Sequence, residues 1–283
     1  MPHTDVPVLS NPRAERVRSV HALTGRSARQ RHGRFLAEGP QAVREAVAAG
    51  AALELYVTAD AAERYPGIVA GAPRVWTVTD EVLAAMSDTV TPQGLVAVCP
   101  ATTTDLEDVL AAQPRLVAVL DRVRDPGNAG TVLRAADAAG ADAVVLTAGS
   151  VDVFNPKCVR STAGSLFHLP VVVGVPLADA VTALQRSGST VLAADGRGDR
   201  DLDDLADEAA RGTVRDVDLR RRTAWVFGNE AAGLDDRGRS LADAVVRVPL
   251  HGRAESLNLA TAAVVCLYAS ARAHRGAHPA APA

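Results

Sequence analysis

Three polar clusters in this 283-residue chain each follow an apolar run, and their residue types suit ligand binding and group transfer. The first is Asp121-Arg-Val-Arg-Asp-Pro-Gly-Asn128-Ala-Gly-Thr-Val-Leu-Arg134. Asn128 is read as a helix N-cap, and Gly130 lets another backbone or a ligand come close. Arg134 then falls in the second turn of that helix, within reach of the same strand end. The second cluster, Phe227-Gly228-Asn229-Glu230-Ala-Ala-Gly233, is a turn of small residues whose backbone groups can read a flat or flexible ligand while Glu230 supplies a single acceptor or charge. The third runs from Val248-Pro-Leu250 through His251 and Ala254 to Glu255-Ser256-Leu257-Asn258. Ser256 or Asn258 is placed to cap the Ala-rich helix that comes next.

Several other chemistries lose their support. The chain has no G-x-x-x-x-G-K-[ST] phosphate loop, no H-E-x-x-H helix and no G-x-S-x-G elbow, and Gly196-Arg-Gly198 lacks the third glycine of a dinucleotide fingerprint. Cys99, Cys158 and Cys266 lie far apart without a C-x-x-C pair, so neither a disulfide framework nor a metal site is expected, in keeping with a reducing cytoplasm. No apolar run approaches membrane-spanning length, and the first residues lack a signal-like apolar core, which predicts a soluble cytoplasmic protein without membrane contact.

The net charge of -3 offers no general attraction to a polyanion, so any nucleic-acid contact must come from local patches. One such patch is residues 13–34, where Arg13, Arg16, Arg18, Arg26, Arg29, Arg31 and Arg34 face only Glu15. A charge run can be a solvated helix face; the concentration of one sign in an acidic chain points instead to a phosphate-contacting surface.

The elements that must carry these clusters are α/β. The composition is 48% hydrophobic but 3% aromatic, with Ala and Val dominant, as suits buried parallel strands under Ala-rich helices. Strands are expected at 35–38, 53–57, 74–77, 95–98, 116–120, 143–147, 170–174, 190–194 and from Thr223, with helices between them. The regular strand and helix alternation beyond residue 115 predicts right-handed crossovers and a parallel sheet with helices on both faces. The domain reading is a mobile N-terminus at 1–12, a smaller α/β domain at 13–100, a linker at 101–114, the main domain at 115–275 and a disordered tail at 276–283. Residues 197–222, charged with both signs, read as an exposed excursion.

Taken together, the clusters resemble the SpoU-type (TrmH) branch of the SPOUT RNA methyltransferases, over about residues 13–273. The motifs that carry the likeness are D-P-G-N-A-G-T-V-L-R, F-G-N-E-A-A-G-L and V-P-L-H-G-R-A-E-S-L-N-L-A-T-A-A, with R-F-L-A-E-G-P-Q-A-V-R-E-A and T-P-Q-G-L-V-A-V in the first domain. Ala231 stands where the family often has glycine, and Leu250 where methionine is common. The resemblance implies a deep trefoil knot, a homodimer, and S-adenosylmethionine held near Phe227, Gly228, Asn229, Val248, Leu250, Ser256, Leu257 and Asn258. It further implies a catalytic set of Arg134, Asn128, Glu230, Ser256 and Asn258, with Arg26, Arg29, Arg31 and Arg34 for RNA. Methylation of a ribose 2'-hydroxyl of large-subunit ribosomal RNA is the implied activity; transfer RNA, or a non-catalytic role in ribosome assembly, are the alternatives.

Overall fold

The computed structural model describes residues 8–277 and divides into two compact units. The first, residues 8–102 with Asp152–His168, holds a four-stranded sheet of β1 (Arg34–Glu38), β2 (Glu54–Val57), β3 (Val75–Thr77) and β4 (Leu95–Pro100) in the order β1-β4-β2-β3. β4 is antiparallel to both neighbours, and only β2 and β3 pair in parallel. Helices Glu15–Ala22 and Asp80–Met86 close one face, burying Val17, Val20, Val82, Leu83 and Met86 against Leu36, Tyr56 and Val98. The start of the chain is partly ordered: Leu9 bridges Val78, whereas residues 1–7 of the expected mobile terminus and 278–283 of the expected tail lie outside the described residues.

The second unit, Thr103–Val151 with residues 169–277, is built on seven strands that all run parallel. They are β5 (Leu116–Leu120), β6 (Ala143–Thr147), β7 (Val171–Val175), β8 (Thr190–Ala194), β9 (Arg200–Asp201), β10 (Thr223–Phe227) and β11 (Ala244–Arg247), ordered β7-β6-β5-β10-β8-β11-β9. Alternation along each strand sends side chains to two covered faces. Val117, Val119, Val145, Val191 and Val226 pack with Val181 and Leu184 of helix Leu177–Arg186. On the opposite face Trp225 is fully buried and its indole N–H donates to Ser270 Oγ (2.9 Å) on the last helix, Leu259–Ala277, so the ring's polar edge is satisfied inside the core.

Three expectations change. Residues 101–114, expected as a linker, contain helix Leu106–Ala111, and its Val109 is buried in the second unit's core. The charged excursion contains helix Leu202–Arg211, with Leu202, Leu205 and Ala209 buried at helical spacing among acids that hid the periodicity. Asp152–His168 packs with the first unit: Phe154 and Phe167 lie 4.8 and 6.0 Å from the Phe35 ring, between centroids.

Candidate active site

β5 and β10 are neighbours and end at the same edge, which brings the first two polar clusters side by side. The first helix starts earlier than expected. Asp125 is its N-cap and accepts the Asn128 N–H (2.8 Å), while Pro126 occupies the first helical position. Asn128 is therefore inside the helix, where its side chain is free for tertiary contacts rather than spent as a cap.

Those contacts join all three clusters. The Asn128 amide nitrogen donates to Glu230 Oε1 (3.3 Å), and its oxygen accepts from Asn258 Nδ2 (3.1 Å). Glu230 also accepts the backbone N–H groups of Arg124 (3.3 Å) and Asp125 (3.1 Å). Burial pushes the Glu230 carboxyl upward, but these donors outweigh it and hold the group below its ordinary value. A carboxylate so occupied is a clamp and a poor proton acceptor. Asn258, rather than Ser256, caps the last helix, its Oδ1 accepting from the N–H groups of Ala260 (2.8 Å) and Thr261 (3.4 Å).

Beside this network lies a cavity of about 310 Å³ formed by the ends of β8, β10 and β11. Phe227, Gly228, Asn229, Glu230, Val248, Leu250, Ser256 and Leu257 line it, and Asn258 stands outside it, in the network. The lining combines small residues, Gly196, Gly228, Ala231, Ala232 and Gly233 among them, with larger apolar and charged side chains. Gly228 shows how close the walls come: a Cβ there would lie 2.4 Å from the Gly233 carbonyl carbon and 2.5 Å from the Leu234 nitrogen. Asn229 shapes the same turn, its Oδ1 accepting from the N–H groups of Ala231 (3.0 Å) and Ala232 (3.2 Å).

Sequence reasoning missed a fourth wall. Ala194, Asp195, Gly196 and Arg197 line the cavity after β8. Burial raises the Asp195 carboxyl, but donors from Arg197 and Arg239 prevail and keep it below its usual value. The available signal was a run of small residues with one acid after a buried strand, as at the other sites; only strand order brings it next to β10. Arg134 also departs from expectation. It sits about 9 Å along the helix axis from Asn128 and in the third turn. Its side chain is exposed and is not part of the Asn128 network or the cavity wall.

Comparison with known proteins accounts for this arrangement. Residues 115–268 match the model of the SpoU rRNA Methylase family, and residues 14–97 match an MRM3-like substrate binding domain. The chain belongs to the SpoU rRNA methylase family. A 23S rRNA (guanosine(2553)-2'-O)-methyltransferase, RlmP of Bacillus subtilis, is 33% identical over 92% of this chain and 97% of its own length. An rRNA methyltransferase from Sinorhizobium meliloti, solved with AdoMet bound, superposes with a TM-score of 0.77 at 30% identity, covering 95% of this chain and 98% of the other. The SpoU methyltransferase AviRb from Streptomyces viridochromogenes, in complex with the cofactor AdoMet, gives 0.75 at 31% identity over 92% and 98%.

In this family member, the arginines of the basic run differ in their surroundings. Arg26, Arg31 and Arg34 are exposed. Arg29 is corrected: it is 3% exposed, donates to Asp152 Oδ2 through Nε (3.0 Å) and Nη2 (2.7 Å), and turns Nη1 toward the carbonyls of Leu23 and Thr24. Its guanidinium is consumed within the fold and cannot reach RNA. Losing one partner of such a buried pair costs about 3–5 kcal/mol. Arg16 is likewise engaged, with Glu54 (3.1 Å) and over the Trp76 ring (4.1 Å). Among the described residues no group of His, Cys, Asp and Glu could hold a metal ion, and no helix is long and apolar enough to cross a membrane.

Proposed function

We propose that this protein transfers a methyl group from S-adenosylmethionine to a ribose 2'-hydroxyl of RNA, with 23S ribosomal RNA in the cytoplasm as its substrate. The observation that carries the reading is the joining of Asn128, Glu230 and Asn258 into one network beside the cavity. The cavity suits the cofactor: it has the size range of small-molecule sites, and its close-packed glycine turn lets backbone N–H and C=O groups reach an adenine edge. Bound S-adenosylmethionine supplies an activated methyl on a sulfonium. Phe227, Gly228, Asn229, Val248, Leu250, Ser256 and Leu257 hold and orient it.

The remaining work falls to this chain's polar groups. Glu230 locks the start of the Asn128 helix against the cofactor turn, so that Asn128 and Asn258 present fixed amides to the ribose; positioning of this kind supplies much of the rate. Arg134 is the donor that stabilises the negative charge developing on the ribose 2'-oxygen as its proton passes to solvent water. A guanidinium stays protonated, so it clamps an RNA phosphate and the developing charge rather than accepting the proton itself.

The protein works as a homodimer. Val265 (39% exposed) and Tyr268 (44%) are spaced three apart on the outer face of the last helix, with Leu250 (41%) also uncovered. A second copy on that face gives Arg134 a way to meet a site it does not line in its own chain. Arg26, Arg31 and Arg34 deliver the RNA.

The reading is tested by incubating the protein and labelled S-adenosylmethionine with 23S rRNA and, separately, with transfer RNA, both from cells lacking the gene. A 2'-O-methylnucleoside from the 23S digest is expected. Label confined to transfer RNA overturns the substrate, and no label in either overturns the activity.

A further inference from the structure

Arg122 belongs to the first polar cluster, three residues before its D-P-G-N motif, and the site described above gives it no role. Its φ of +52° places it in the left-handed region, which side chains other than glycine rarely enter. That conformation turns its two peptide groups to different partners. The N–H donates to Thr147 Oγ1 (3.1 Å), and the C=O accepts from Asn229 Nδ2 (2.9 Å). The side chain holds the turn from above. Nε donates to Asp121 Oδ2 (2.9 Å) and Nη2 to Asp235 Oδ2 (3.0 Å). Asp121 is buried and takes the Thr147 hydroxyl on its other oxygen (2.8 Å); Asp235 caps helix Asp236–Leu241 by accepting the Gly238 N–H (2.7 Å).

One residue thus ties together the end of β5, the end of β6, the turn after β10 and the next helix. The consequence reaches the cofactor cavity through Asn229, whose amide has one end on the Arg122 carbonyl and the other on the N–H groups of Ala231 and Ala232. It reaches the Asn128 helix through Arg124 and Asp125, whose N–H groups are clamped by Glu230.

We propose that Arg122 is a positioning residue for methyl transfer: its left-handed backbone, held by Asp121 and Asp235, sets the cofactor turn in register with the Asn128 helix. The inference rests on the methyltransferase reading above. Strained conformations persist where the surroundings over-determine them, and here two carboxylates, a hydroxyl and an amide do so. If the residue relaxes into the right-handed region, its carbonyl swings away and Asn229 Nδ2 loses its closest acceptor, keeping only Glu230 Oε2 at 3.4 Å.

Two variants separate the parts. Arg122→Gly removes the cation yet adopts positive φ without cost, whereas Arg122→Val also disfavours that backbone. Each is measured by calorimetry with S-adenosylmethionine, by kcat and KM on RNA, and by thermal unfolding, all binding and kinetics being recorded well below the melting temperature. The expected order of cofactor Kd is wild type, then Gly, then Val. kcat in Val should fall about 10- to 100-fold, as misplacement on the order of 1 Å can cost about 10²-fold. KM for RNA should stay near that of wild type. A role in stability alone would lower the melting temperatures and leave Kd and kcat of the folded variants unchanged, which overturns the proposal. A wild-type protein that neither binds the cofactor nor transfers methyl overturns the methyltransferase reading instead.

Discussion

Arg134 carries its charge on the exposed side of its helix, with no hydrogen bond or ion pair to its guanidinium among the described residues. Structural arginines here look different: Arg29 and Arg239 are sunk against carboxylates. An exposed donor of this kind is suited to a partner that arrives from outside. Arg134→Ala should lower kcat/KM for RNA by about 10²- to 10³-fold, the scale of losing one donor to a developing oxyanion. Its cofactor Kd, read by calorimetry, should match wild type because Arg134 does not line the cavity. A matching loss of cofactor affinity would contradict this assignment. The residue types of the site were legible from the sequence, but their roles were not. Asn128 reads as a cap until Asp125 is seen to cap in its place, and Arg29 reads as an RNA contact until its burial is seen.

The decisive element is the turn between β10 and helix Asp236–Leu241. It must pass close to its own backbone, and Gly228 makes that possible. In Gly228→Ala the new methyl meets peptide atoms of Gly233 and Leu234 rather than a flexible side chain, so the turn itself must move. The variant should lose about 1–3 kcal/mol of stability, as overpacked interiors do. It should also lose measurable S-adenosylmethionine binding, which calorimetry and thermal unfolding together report. Retained affinity would show that the turn has room to spare. Strand boundaries in this region follow the apolar runs closely: β5, β6, β8 and the start of β10 fall at the expected residues. Helix Leu202–Arg211 was hidden because its buried face is carried by few apolar residues among many charges.

At the scale of the whole molecule, the exposed Val265 and Tyr268 call for a covering surface. Val265→Glu with Tyr268→Glu should convert the proposed dimer to monomers in sedimentation velocity. Methyl transfer should fall with it, because in the proposed dimer the pairing brings Arg134 to its site. A double variant that remains dimeric and active would remove both the interface and the shared site.

The chain by itself determined the α/β class, the parallel order of alternation in its second half and the three clusters at strand ends. Local signals suffice for these: runs of apolar residues mark buried strands, and small or polar residues mark the turns at their ends. Tertiary structure alone decided which strand ends meet. The order β7-β6-β5-β10-β8-β11-β9 sets residues 128, 230 and 258 within hydrogen-bonding reach and adds Asp195 to the cavity, and tertiary packing places Asp152–His168 in the first unit. These pairings join residues up to 130 positions apart, and no local pattern encodes which distant strand will supply the neighbour.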